Sequence, residues 1–228
     1  IWVGTMAGSL FALPIAGGAA KELTAASGSQ RRHEGAVRCL LSVGGQLWSG
    51  SESAEIFVWD AERKPGSLLQ KMEREGGAVS AMIRLPDGGV LSGHKSGIVQ
   101  VWGVDGARHS WAHSRSAVKS AVLAGNLAWT GHSDGHFRLW TILDDCGVEL
   151  FRSVPAHHTA VLGMVKDAVS VWSCTKNGTL RQWSIALLIM DKVLEPGVVS
   201  SRRSNPTLRS AGGIAHRRAG GSTLGGRA

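Results

Sequence analysis

Leu127-Ala128-Trp129-Thr130-Gly131-His132-Ser133-Asp134-Gly135-His136-Phe137-Arg138-Leu139-Trp140 is a short apolar run, a polar turn and a second apolar run. That pattern reads as a β-hairpin. The interval between its two tryptophans, Trp129 and Trp140, recurs unchanged from Trp48 to Trp59, from Leu91 to Trp102 and from Trp172 to Trp183. Read outward, Trp59, Trp102, Trp140 and Trp183 form one ladder of nearly even step. Trp2, Trp48, Trp129 and Trp172 form a second, with Leu91 in its missing rung. A period of roughly 40 residues marks an array of stacked units, each burying its apolar faces only against its neighbours.

Three of the hairpin turns carry a glycine, Gly97, Gly135 and Gly178, which supplies a positive φ at no steric cost. Ala54 holds the equivalent place in the second unit, so that turn is expected to be looser or of another type. Upstream of each hairpin lies a further strand-like run, at 36–41, 78–83, 117–123 and 160–165, and stretches such as 67–74 and 147–154 can supply a fourth, outer strand. Four antiparallel strands in each such period make one blade of a β-propeller. The repeats fall at about 1–30, 31–74, 75–112, 113–155 and 156–194. The fold class is therefore all-β, with one partial and four fuller blades.

His33, Glu75, His113 and His157 precede the closing tryptophans Trp59, Trp102, Trp140 and Trp183 at an almost constant interval. With them the chain resembles the WD40 repeat family, whose pattern is an upstream histidine, a Ser or Thr on the second strand, an acidic turn and a closing Trp-Asp. The resemblance implies a structural tetrad in which a hydroxyl accepts the indole N–H and meets one imidazole nitrogen, while the other donates to a turn carboxylate. Residue by residue it implies His113, Thr130, Asp134 and Trp140 in repeat four. Repeat five offers His157, Ser173, Asn177 and Trp183, and repeat two offers His33, Ser49, Ser53 and Trp59. Repeat three has Glu75 and Ser96 in place of the histidine and the acid, so water or other partners are expected there. The literal Trp-Asp pair occurs at Trp59-Asp60. The strand-two tryptophans also make the chain similar to the propeller of plant-type inositol polyphosphate 5-phosphatases, with none of that family's catalytic motifs.

Composition limits the function classes. The 228 residues are 43% hydrophobic and 18% charged, with 31 glycines, enough for a substantial core with many tight turns. Cys39, Cys146 and Cys174 show neither paired nor metal-ligand spacing, which argues for a reducing, intracellular and most simply cytoplasmic setting. The longest apolar run, 185–190, is too short to span a bilayer. Residues 1–5 align with a second strand, so the chain opens inside a blade; with about seven blades usual in the family, a fragment of a larger propeller is expected. Residues 195–228 hold six arginines and one acid, five of the eight net positive charges, with few large apolar side chains. That composition predicts a disordered basic tail, the only segment expected to offer nucleic acid or anionic lipid a contact.

No nucleophile, carboxylate pair or cofactor motif has workable spacing, so neither catalytic residue nor cofactor nor metal is assigned. His94 and His132 share a position three residues after the strand-two rung and read as rim or packing histidines. The expected function is a non-catalytic scaffold that binds other proteins through the rim, with Glu52, Lys95, Arg115, His132 and Lys176 on that surface. The alternatives are a regulatory propeller belonging to an inositol polyphosphate or phosphoinositide 5-phosphatase, and anionic-ligand binding through the tail. Trp111 lies off both ladders, on an outer strand, as edge packing or as an exposed aromatic anchor.

Overall fold

The computed structural model describes residues 1–23, 32–73, 76–103, 109–144 and 147–193. They form five antiparallel sheets, each strand pairing with the next in the chain. The first contains β1 (Trp2–Gly4), β2 (Leu10–Ala12) and β3 (Lys21–Glu22). The second contains β4 (Val37–Val43), β5 (Gln46–Ser51), β6 (Glu55–Asp60) and β7 (Leu68–Glu73). The third contains β8 (Val79–Arg84), β9 (Val90–His94), β10 (Ile98–Trp102) and β11 (His109–His113), and the fourth β12 (Val118–Ala124), β13 (Leu127–His132), β14 (His136–Ile142) and β15 (Val148–Pro155). The fifth contains β16 (Val161–Lys166), β17 (Ser170–Thr175) and β18 (Leu180–Ser184), after which helix α1 (Ile185–Val193) follows where the other sheets place an outer strand.

The two ladders face opposite ways. In the second sheet Trp59 lies opposite Leu47 and Trp48 opposite Val58, and adjacent positions on a strand point to opposite faces. Trp59 therefore packs with Leu10 of the first sheet and with Leu23 just after it, while Trp48 packs with Val79 and Trp102 of the third. The next layer joins Leu91 to Val118 and Trp140, and the one after joins Trp129 to Val171 and Trp183. Each inter-blade layer thus receives one rung from either side. Burying an indole removes ~150–250 Å² from water, on the order of 4–6 kcal/mol of transfer free energy, so these layers are the main source of cohesion.

A second device sets how closely the blades approach. A Cβ on Gly50 would lie 2.6 Å from Val79 Cγ1, and one on Gly131 would lie 2.7 Å from Val161 Cγ1; Gly4 meets Val37 and Gly93 meets Val118 in the same way. The valine that opens each innermost strand fills the space left by a glycine on the preceding blade. Immediately after each valine the strand bulges, between Val37 and Cys39, Val79 and Ala81, Val118 and Ser120, and Val161 and Gly163.

Two expectations are corrected. Ala54 adopts φ 68°, the same left-handed conformation as Gly97 and Gly135, so its turn keeps the common geometry at the cost of a strained residue. Trp111 is 63% exposed on β11, the outer edge of its sheet, so it is not edge packing. Residues 185–190, for which the sequence pattern gives no secondary structure, begin helix α1. Ile185, Leu188 and Ile189 of α1 recur at helical spacing and pack on the layer around Trp129 and Trp183.

An alanine in the left-handed region costs ~1–2 kcal/mol, part of which is returned by its lower freedom in the unfolded chain. Ala54→Gly is expected to raise stability by roughly 0.5 kcal/mol, read as a melting temperature about 1–2 °C higher by circular dichroism.

Candidate functional site

In each of four blades a strand-two hydroxyl meets the closing tryptophan and an imidazole. Trp59 Nε1 donates to Ser49 Oγ at 2.9 Å, and His33 Nε2 lies 2.7 Å from that oxygen. Trp183 Nε1 donates to Ser173 Oγ at 2.8 Å, with His157 Nε2 at 2.7 Å. Trp140 Nε1 donates to Thr130 Oγ1 at 2.7 Å, and Trp102 Nε1 to Ser92 Oγ at 2.9 Å.

The imidazole is not always the expected one. In blade four it is His132, whose Nε2 lies 2.7 Å from Thr130 Oγ1 while its Nδ1 donates to Ser116 O at 2.9 Å. His113 lies exposed at the end of β11, and its Nδ1 accepts the Arg115 N–H at 2.9 Å. In blade three His94 Nε2 lies 3.0 Å from Ser92 Oγ and its Nδ1 donates to Gly77 O at 3.2 Å. Glu75 is outside the described residues. The signal was present in the sequence: Ser92 and His94, like Thr130 and His132, are two apart on one strand and so share a face. Blades two and five, which receive His33 and His157 from upstream, carry the hydroxyls Ser51 and Thr175 at that strand position.

The acids also differ from expectation. Blade two uses Glu55, not the Ser53 turn alone: Ser53 Oγ donates to Glu55 Oε2 at 2.7 Å, the Glu34 N–H donates at 3.1 Å, and Lys71 Nζ lies 3.1 Å from Oε1. His33 Nδ1 stands 3.4 Å from Glu55 Oε2, too long for a well-formed hydrogen bond. Burial pushes the Glu55 carboxyl up, but Ser53, the Glu34 N–H and Lys71 outweigh it and hold it below the ordinary carboxylate range. Asp134 pairs with Arg138 Nη2 at 2.6 Å and accepts the His136 N–H at 3.1 Å rather than bonding the imidazole of the lock. Against the push of its partial burial, those contacts bring it down to about 2. The Asn177 amide oxygen accepts from the Thr175 and Thr179 hydroxyls, the latter at 3.1 Å.

His94 and His132 are fully buried, which removes His132 from the rim surface. Both nitrogens of each ring are engaged, leaving no lone pair for a metal. Among the described residues no group of three or more His, Cys, Asp and Glu side chains could hold one. Glu52, Lys95, Arg115 and Lys176 are exposed, with Glu52 paired to Arg38 at 2.9 Å. The segment 195–228 is outside the described residues, and no described helix is long and apolar enough to cross a membrane.

Repeated sheets joined at tryptophan layers and locked through a strand-two hydroxyl define a WD40-type β-propeller. No protein-family model matches the chain. The chain is distantly homologous to WD-repeat proteins. An uncharacterized WD repeat-containing protein of Schizosaccharomyces pombe is 23% identical over 159 residues, 67% of this chain and 33% of that protein. Type II inositol polyphosphate 5-phosphatase 15 of Arabidopsis thaliana is 26% identical over 150 residues, 64% of this chain and 11% of that protein. A chain in the crystal structure of the mitotic checkpoint complex superimposes with a TM-score of 0.70 at 18% identity, over 80% of this chain and 58% of that one. The chain thus spans a third or less of these two curated relatives.

Removing His132 takes one partner from the Ser116 carbonyl and the ring-nitrogen acceptor from the Thr130 hydroxyl, and opens a cavity beside Trp140. His132→Ala is expected to cost roughly 2–4 kcal/mol in urea denaturation, whereas His113→Ala stays within about 0.5 kcal/mol.

Desolvation lowers His33 and His132 to about 4 each, and lowers His94 as well. These rings are neutral in the fold and charge more readily when unfolded. Their contribution is therefore complete above the unfolded value of 6.5 and is lost as pH falls toward 4, roughly 3 kcal/mol for each of His33 and His132 at pH 4. The melting temperature is expected to drop between pH 6.5 and 4.5, above the window in which Asp134 titrates. His132→Asn should flatten that slope.

Proposed function

We propose that the chain is a non-catalytic platform that presents the rim of its propeller to protein partners inside the cell. The observation that carries this reading is the division of its polar side chains. The imidazoles of His33, His94, His132 and His157 and the strand-two hydroxyls they meet are tied into the blade locks, while Glu52, Lys95, Arg115 and Lys176 stand on the exposed turns and inter-blade connections. Turns on a rigid scaffold vary without disturbing the core, which suits recognition rather than turnover. The fold likeness to a chain of the mitotic checkpoint complex is in keeping with this reading.

A second reading rests on the Arabidopsis likeness: a regulatory propeller attached to an inositol polyphosphate 5-phosphatase. Recovery of the complete transcript separates the two, since a coding region without a phosphatase domain ends the second.

The scaffold reading is tested by affinity capture from extract with the wild type and with Glu52→Lys, Lys95→Glu, Arg115→Glu and Lys176→Glu combined. The wild type should retain a reproducible set of proteins that the variant, with an unchanged melting temperature, does not. An identical set from both overturns the assignment to the rim.

A further inference from the structure

The bulges on the innermost strands place a charged cavity across three blades. A bulge leaves one residue unpaired and re-aims it. In blades two, three and four that residue is Arg38, Ser80 and Lys119. All three line a single cavity of about 260 Å³, together with Glu52, Lys95 and Val118.

The cavity is rigid on one side and electrostatically incomplete on the other. Ser80 Oγ donates its one proton to Val118 O at 2.6 Å, with Gly93 O at 3.0 Å beside it, which ties the bulge of blade three to the strand carrying the bulge of blade four. Three cations face one carboxylate. Glu52 is taken by Arg38 at 2.9 Å, while Lys95 and Lys119 form no ion pair among the described residues. Ammonium groups that line one concave surface repel each other, and an anion between them gains charge-assisted hydrogen bonds. The volume lies below the ~300–1,000 Å³ usual for cofactor-sized ligands, and suits one side chain.

We propose that this cavity receives the carboxylate of an aspartate or glutamate side chain from an extended segment of a protein partner, held by Lys95 and Lys119. The proposal rests on the scaffold reading. In it Glu52 is a built-in competitor: it mimics the incoming carboxylate and occupies Arg38 until the partner arrives. Neutralising Glu52 then frees a third cation and tightens binding, an effect opposite in sign to loss of the lysines.

The probe is a fluorescein-labelled peptide with three consecutive glutamates in a Gly/Ser context, titrated with the full chain by fluorescence anisotropy, beside the same peptide carrying glutamines. Lys95→Glu with Lys119→Glu should weaken glutamate-peptide binding about tenfold or more, Lys95→Gln with Lys119→Gln about threefold or more, and Glu52→Gln should tighten it about threefold. Arg115→Glu, outside the cavity, should leave it within about twofold. Equal affinity for the glutamine peptide overturns the proposal, as does binding that survives both lysine pairs, the result expected if the basic tail alone holds the peptide. If the captured proteins of the rim experiment persist with Lys95→Glu and Lys119→Glu but vanish with Arg115→Glu and Lys176→Glu, the cavity is excluded and the scaffold reading stands.

Discussion

A hydroxyl on the second strand of each of four blades, Ser49, Ser92, Thr130 or Ser173, has to satisfy an indole N–H and an imidazole at once. Ser49, Ser92 and Thr130 lie deep in the protein beside fully buried indoles, where an unmet donor costs as much as the lock contributes. The oxygen accepts from tryptophan and gives its own proton to the ring nitrogen, so the three groups close on one another without water. Because the hydroxyl sits on the second strand and the indole on the third, the lock fixes the hairpin register. A one-residue slip would reverse both tryptophan ladders and empty every inter-blade layer.

Only one element of the lock is free to move. The imidazole comes from upstream in blades two and five and from the strand itself in blades three and four. What is maintained is an imidazole on the hydroxyl, with a hydroxyl or carbonyl partner completing the remaining space. Blade three is therefore not degenerate in its interior, although it lacks the upstream histidine. His94 supplies the ring, and the Gly77 carbonyl takes the place of an acid. Blade two goes furthest the other way, with the buried Glu55 and the partly exposed Lys71 adding a charge pair beside His33.

The propeller was legible from the tryptophan spacing because layer packing and hairpin pairing both impose it on the sequence. The locks were only half legible. His113 occupies the upstream position by count along the chain, but count does not reveal where a ring points, whereas the two-residue step from Thr130 to His132 does. Ala54 kept a glycine-like turn because the flanking strands are held by Trp59 and Ser49 and impose the backbone conformation on it. Helix α1 could not be inferred from a run as short as 185–190, since an apolar stretch of that length suits a strand or a helix until its neighbours are known. Trp111 was placed on an outer strand correctly, but its exposure depends on what flanks β11, which no local pattern encodes.

The glycine and valine contact between blades separates spacing from connection length. Gly4 and Val37 stand further apart along the chain than Gly93 and Val118 do, yet each pair meets in the same way. The seam acts as a gauge that the linking segments do not have to measure, so those segments can lengthen or shorten without shifting a blade. In the fifth blade the corresponding place on β17 holds Cys174, whose side chain already fills the space that glycine leaves open. Any neighbour on that face must approach by a different fit, and the gauge that sets the other four junctions does not extend past it.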